Sequence, residues 1–192
     1  MDQGPKLELK RDLMHSLGLA IPIGYSLLPK ETVLLCLIPV FFLYVGSDLL
    51  RLFHKGFRRF FYRFIGAKLL KDREERNLIG SSYFLIGSVL TILLFDRGAA
   101  LPALFIAVLA DIAASGAGSL WGRHRLFGSK SLEGSAAFLL TSLAILQLAY
   151  SGPWTYKASG ALVATLAEAL PLRLDDNLVV PLVAAAVLQM GL

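Results

Sequence analysis

Apolar residues fall into seven runs along the chain: Leu17–Leu28, Thr32–Leu50, Leu78–Phe95, Ala99–Trp121, Ala136–Tyr150, Ala158–Leu170 and Leu178–Leu192. The runs are rich in Leu and Ala, and apolar and polar residues do not alternate within them. They therefore predict helices; a membrane β-barrel would show a two-residue period. A bilayer core takes about 20 residues of helix. Several runs are shorter than that, so polar flanks or protein neighbours must complete their ends. The pattern predicts an all-α polytopic membrane helix bundle of about seven transmembrane helices, built as a single membrane domain over 1–192.

Composition supports lipid as the surrounding medium. Apolar residues make up 56% of the 192, against about 45–50% in soluble domains. Mean hydropathy is +0.64, and only 17% of residues are charged. A chain of this size leaves roughly 30% of its unfolded surface exposed, so the apolar excess cannot all be hidden from water. This excludes disorder, a nucleic-acid-binding domain and a disulfide scaffold, and it disfavours a soluble enzyme. Cys36 is the single cysteine. His15, His54 and His124 have no zinc-ligand spacing.

The net charge of +5 reads as topology. Basic residues collect on the cytoplasmic side of membrane proteins. Lys6, Lys10 and Arg11 precede the first run, and nine basic residues lie within 51–76 after the second. Arg123, Arg125 and Lys130 follow the fourth run, and Arg173 follows the sixth. With seven spans all four segments share one face, which predicts a cytoplasmic N-terminus and an external C-terminus. Residues 1–16 read as an amphipathic lead-in. Residues 51–77 mix basic and aromatic side chains and read as an interfacial segment on anionic headgroups. A direct role in holding nucleotide phosphate is the sharper alternative there.

Chemistry concentrates in Asp111–Ser135 and in the closing acids. Asp111 sits well inside an apolar run, where a carboxylate is costly and functional by default. Ser115, Gly118 and Gly122 share its helix face. Ala114, Gly118 and Gly122 also form a ladder of small residues that lets helices approach, and both roles are kept. The loop 122–135 brings Arg123, Arg125 and Lys130 together with Ser129, Ser131, Ser135, Gly128, Gly134 and Glu133. Such a mixture is suited to phosphate oxygens, but its spacing is not that of a Walker A loop. Glu168 lies inside the sixth run. Asp175, Asp176 and Asn177 precede the seventh, where Asp176 or Asn177 is expected to cap the helix. Asp111, Glu133, Glu168 and Asp176 are the candidate Mg²⁺ ligands.

These residues carry a resemblance. Asp111-x-x-Ala114 with Gly118 and Gly122, followed by Lys130-Ser131-x-Glu133-Gly134-Ser135, resembles the dolichol kinase, phytol kinase and CTP-dependent diacylglycerol kinase family. The segment Asp176-Asn177-Leu178-Val179-Val180-Pro181-Leu182 resembles that family's closing motif. Glu8-x-x-Arg11…His15 resembles its N-terminal signature, and Gly80-Ser81-Ser82-Tyr83-Phe84 the start of its middle helix. Asp12 and Ala110 depart from the pattern, where a basic residue and a glycine are usual. The resemblance implies CTP as donor, Mg²⁺, and a hydrophobic alcohol as acceptor.

The expected function is thus a CTP-dependent lipid kinase that transfers the γ-phosphoryl group to a polyprenol, dolichol, phytol-like or diacylglycerol hydroxyl at the cytoplasmic surface. Asp111, Glu133 and Asp176 are the candidate catalytic residues, with Asp111 favoured to orient or deprotonate the acceptor. Gly118, Gly122, Arg123, Lys130, Ser131, Gly134, Ser135 and Asn177 are the candidate nucleotide ligands. Arg11 and His15 are candidates for substrate binding. Expected partners are CTP, the lipid alcohol and membrane lipids, with no nucleic acid; short helices and small-residue ladders are compatible with a homodimer. A phosphatidate cytidylyltransferase, which would release pyrophosphate, is the alternative enzyme. A non-catalytic membrane protein or small transporter is the alternative from another class.

Overall fold

The computed structural model describes residues 17–61, 63, 77–128, 130–172 and 174–192. Arg11, His15, Ser129, Arg173 and most of the basic stretch between 62 and 76 lie outside the described residues. Every apolar run forms helix, and no strand occurs among the described residues. The helices are α1 (Ala20–Leu27), α2 (Lys30–Phe53), α3 (Lys55–Phe61), α4 (Gly80–Leu94), α5 (Arg97–Phe105), α6 (Asp111–Trp121), α7 (Leu132–Ala149), α8 (Trp154–Ala169) and α9 (Asp176–Gln189).

Three stretches are long and apolar enough to cross a membrane: Lys30–Phe53, Arg97–Trp121 and Leu132–Ala149. The others are shorter, with 15 residues in α4 and 14 in α9. The outward surface is greasy. Leu35, Phe42 and Leu43 on α2 and Leu148 on α7 are strongly exposed, Leu148 at 89%. Apolar exposure of this kind marks a surface that meets lipid or another protein.

α9 is the central helix. It packs against α8, α4 and α5, and Val180, Ala184, Ala185 and Leu188 bury its inner faces. Its first turn starts deep. A Cβ on Gly87, halfway along α4, would come within 2.9 Å of the Asn177 carbonyl and 3.2 Å of Leu178 Cα. Glycine is required at 87 because the backbone of α9 lies against it. The start of α9 is therefore recessed into the bundle beside the middle of α4.

The loops segregate to two ends. At one end Gln189 and Asp96 exchange hydrogen bonds, Gln189 Nε2 donating to Asp96 Oδ2 at 2.6 Å and Asp96 N–H donating to Gln189 Oε1 at 2.9 Å. Arg97 donates to the Ser26 carbonyl, and Lys30 to that of Leu93. The opposite end carries the segment from Trp121 to Leu132 and the turn before α9. The sequence pattern had placed the same segments on opposite faces.

That second end also holds a buried ionic knot. Arg51 and Asp48 are 0% and 1% exposed and pair at 2.7 Å. Asp48 Oδ2 accepts from Ser82 Oγ at 2.6 Å and from the Ile79 N–H at 2.8 Å. Arg51 donates to the Asn77 carbonyl and lies over the Phe61 ring. Arg51 is thus not one of the headgroup-facing charges expected of the 51–77 segment. It is sealed inside, because Asp48 one helical turn earlier is its partner and a buried charge must be paired.

Candidate active site

The fourth run is a single helical path from Arg97 to Trp121, but its middle is not α-helical. Residues Ile106–Ala110 form a π-helical segment. Such segments insert a residue into the α pattern and turn the following side chains to a new face. Asp111 is the first residue after it. Pro102 sits one turn upstream, where its missing N–H already loosens the ladder.

Asp111 from α6, Glu168 from the end of α8, and Asp176 and Asn177 from the start of α9 line one cleft with Ala107, Phe138 and Val180. The cleft measures about 200 Å³ including its open mouth. Its walls are apolar and its polar groups are mainly carboxyls. Lys130 supplies the positive charge. Its Nζ donates to Glu168 Oε1 at 2.5 Å and to Asp176 Oδ2 at 2.8 Å. Burial of Lys130 opposes its charge, but the neighbouring Asp176 and Glu168 carboxylates outweigh this, and its pKa is raised above the usual lysine value. Lys130 stays an ammonium at neutral pH. The other carboxyl oxygen of Glu168, Oε2, is buried and accepts no hydrogen bond from the described residues.

A hairpin delivers Lys130 to this position. Arg125 and Ser131 face each other in an antiparallel bridge. Leu126 N–H donates to the Lys130 carbonyl, Lys130 N–H to that of Phe127, and Leu132 N–H to that of His124. Gly128 takes φ +57° at the tip, a left-handed conformation that favours glycine. Glu133 then clamps the base, bonding His124 Nδ1 at 2.8 Å and accepting from the His124 N–H.

The glycines have a packing role. Ser131 caps α7, its Oγ accepting from Gly134 N–H at 3.1 Å. A Cβ on Gly118, Gly122 or Gly134 would each come within 3.2 Å of that same Oγ. The one on Gly134 would also approach the Ala114 carbonyl, and the one on Gly122 the Gly118 carbonyl. Gly118, Gly122 and Gly134 therefore leave room for Ser131 where α6 meets α7. The small-residue ladder works as helix packing, as the general motif does.

Several expected site residues sit elsewhere. Glu133 does not line the cleft; it is spent on His124, nine residues back on the same hairpin. Gly134 N–H is held by Ser131 Oγ, and Ser135 N–H by the Ser131 carbonyl. Arg123 is exposed on the hairpin and does not line the cleft. The cap of α9 is Asp175, which accepts from Asn177 N–H and Asn177 Nδ2. With Asp175 in that role, Asp176 can engage Lys130. Asp48, the π-helical segment and Gly87 were not picked out by sequence reasoning. Asp48 did carry a signal: it is an acid inside an apolar run, three residues from an arginine.

The chain is similar to CTP-dependent diacylglycerol kinase 1. The relative from Schizosaccharomyces pombe is 29% identical over 164 residues, covering 75% of this chain and 74% of the relative. That from Eremothecium gossypii is 29% identical over 165 residues, covering 72% of this chain and 52% of the relative. An uncharacterized protein of Rickettsia prowazekii is 27% identical over 185 residues, spanning 91% of this chain and 90% of its own length. No protein-family model and no solved structure matches the chain.

The donor set of the cleft bears on Mg²⁺. Among the described residues, no group of three or more His, Cys, Asp or Glu side chains is placed to hold a metal ion. A four-acid cage that includes Glu133 is thus not formed. Mg²⁺ usually takes one or two carboxylates with phosphate oxygens and waters. Glu168, with its unpartnered Oε2, and Asp176 in the same cleft fit that smaller requirement.

Proposed function

We propose that the protein is a CTP-dependent lipid kinase that transfers the γ-phosphoryl group of CTP to the hydroxyl of a membrane lipid alcohol, diacylglycerol being the first acceptor to test. The observation that supports this reading is the convergence of Asp111, Glu168 and Asp176 on one cleft of an otherwise apolar bundle, with the Lys130 ammonium bonded to two of these acids. The two diacylglycerol kinase relatives supply the donor and the acceptor class.

Phosphoryl transfer depends on positioning and charge neutralisation more than on covalent chemistry by the protein. Lys130 would be the cation that meets a phosphate. Asp176 and Glu168 would hold Mg²⁺, which when bound would neutralise phosphate charge. Asp111, the first residue after the π-helical segment, would accept the proton of the lipid hydroxyl. Phe138, Val180 and Ala107 form the apolar wall along which the acceptor enters. Arg123 on the exposed hairpin would meet the nucleotide outside the cleft. We place this end of the bundle at the cytoplasmic surface, following the basic segments there.

The test is a product assay with purified protein, Mg²⁺, labelled CTP and a panel of lipid alcohols. Release of CDP with a phosphorylated diacylglycerol supports the reading. Release of pyrophosphate would instead identify a cytidylyltransferase, and absence of turnover on every acceptor would remove the kinase assignment.

A further inference from the structure

We propose that Lys130 is the resident counter-ion of a divalent-cation site made by Glu168 and Asp176, and that it leaves these carboxylates for phosphate when the cation arrives. Only the phosphate half rests on the kinase reading.

The geometry carries the exchange. The Lys130 ammonium lies between two carboxylate oxygens from different helices, 2.5 Å from Glu168 Oε1 and 2.8 Å from Asp176 Oδ2. A Mg²⁺ ion bound to those same oxygens would stand about 2.0–2.1 Å from each, so cation and ammonium claim one space and repel one another. Glu168 is 4% exposed, and its second oxygen has no donor among the described residues. One ammonium therefore satisfies only part of this carboxylate, and a coordinating ion can use the rest. Lys130 has somewhere to go. Its side chain is 30% exposed, its stem is long and rotatable, and it stands on a hairpin at the mouth of the bundle. With the cation in place, the displaced ammonium adds its charge to the phosphate-binding side. Without it, the same lysine keeps two adjacent carboxylates from repelling each other. The arrangement predicts that divalent cation and polyphosphate bind together and poorly apart.

The experiment uses the full chain in detergent without nucleotide. Mn²⁺ binding is read by electron paramagnetic resonance for wild type, Lys130→Met, Lys130→Gln and the double variant Lys130→Met/Glu168→Gln. Removing the competing charge should tighten Mn²⁺ by about tenfold or more in either single variant, and the double variant should lose that gain. In thermal melts, Mg²⁺ and inorganic tripolyphosphate should stabilise wild type only together, while Mg²⁺ alone should stabilise Lys130→Met. Mn²⁺ affinity unchanged or weakened in the folded single variants overturns the proposal, as does a gain that survives Glu168→Gln. Tighter Mn²⁺ without any turnover of CTP would leave the exchange standing and remove the kinase reading. Turnover of CTP with unchanged Mn²⁺ affinity would do the reverse.

Discussion

Lys130 Nζ stands 2.8 Å from Asp176 Oδ2, although the two residues are 46 positions apart in the chain. One belongs to a surface hairpin and the other to the recessed start of α9. Their contact joins the two basic and acidic motifs of the chain into one site.

Loss of any charge in that site should abolish most activity while the fold survives. Asp176→Asn, Glu168→Gln and Asp111→Asn are each expected to lower turnover by about 10²–10³-fold. Glu168→Gln and Asp176→Asn combined should cost less than the product of the single effects, because groups acting as a unit are not additive. CDP release by purified variants checks this; additive losses would place the two acids in separate roles.

Glu133 should behave differently. Its partner is His124, outside the cleft, so Glu133→Gln is expected to reduce turnover by less than about tenfold, well short of the losses expected for groups in the cleft. A loss matching that of Asp176→Asn would return Glu133 to the metal-binding set.

The packing around Ser131 makes an ordering. Gly118→Ala would meet Ser131 Oγ at 3.2 Å, whereas Gly122→Ala would also strike the Gly118 carbonyl. Overpacking costs about 1–3 kcal/mol, and Gly122→Ala should stand at or above the upper end. Ser131→Ala should cost about 1 kcal/mol through loss of the cap and should partly rescue Gly118→Ala. Thermal melts of the double-mutant cycle measure the coupling; strict additivity would mean that Ser131 is not the obstacle.

The Asp48 knot should matter for stability. Asp48→Ala removes the carboxylate that pairs with the buried Arg51 and is expected to cost about 3–5 kcal/mol. Ser82→Ala, which removes one hydrogen bond to Asp48, should cost about 1 kcal/mol. Melting temperatures in detergent test both. A Asp48→Ala variant as stable as wild type would show that Arg51 can be reached by water.

Alkaline titration should expose the Lys130 bridge. A group whose folded pKa is raised contributes stability that is fully present below its unfolded value, here 10.5, and lost as pH rises through the folded value. The difference in melting temperature between wild type and Lys130→Met should therefore be constant through neutral pH and shrink only in strong alkali. A difference that changes between about pH 6 and 8 would point to another titrating group.

What the sequence determined by itself is local or additive. Apolar runs and their lack of alternation specify helices, and the excess of apolar surface specifies lipid, because both depend on composition and spacing alone. The grouping of loops into two ends was legible for the same reason: basic residues follow alternate runs. Asp111, Glu168 and Asp176 stood out because a carboxylate in an apolar run is costly wherever it is. The rest needed the tertiary structure. That Lys130 pairs with two of those acids, while Glu133 in the same motif turns to His124, depends on how the hairpin folds back between α6 and α7. That Asp175 is the N-cap of α9 while Asp176 reaches Lys130 follows from a one-residue difference in where the helix starts. That Gly118, Gly122 and Gly134 all leave room for Ser131 Oγ is likewise visible only in the fold, because the three come from two different helices and their junction. The π-helical segment that precedes Asp111 leaves no periodic trace, because it is set by packing against α7 and α9 and not by the five apolar residues that form it.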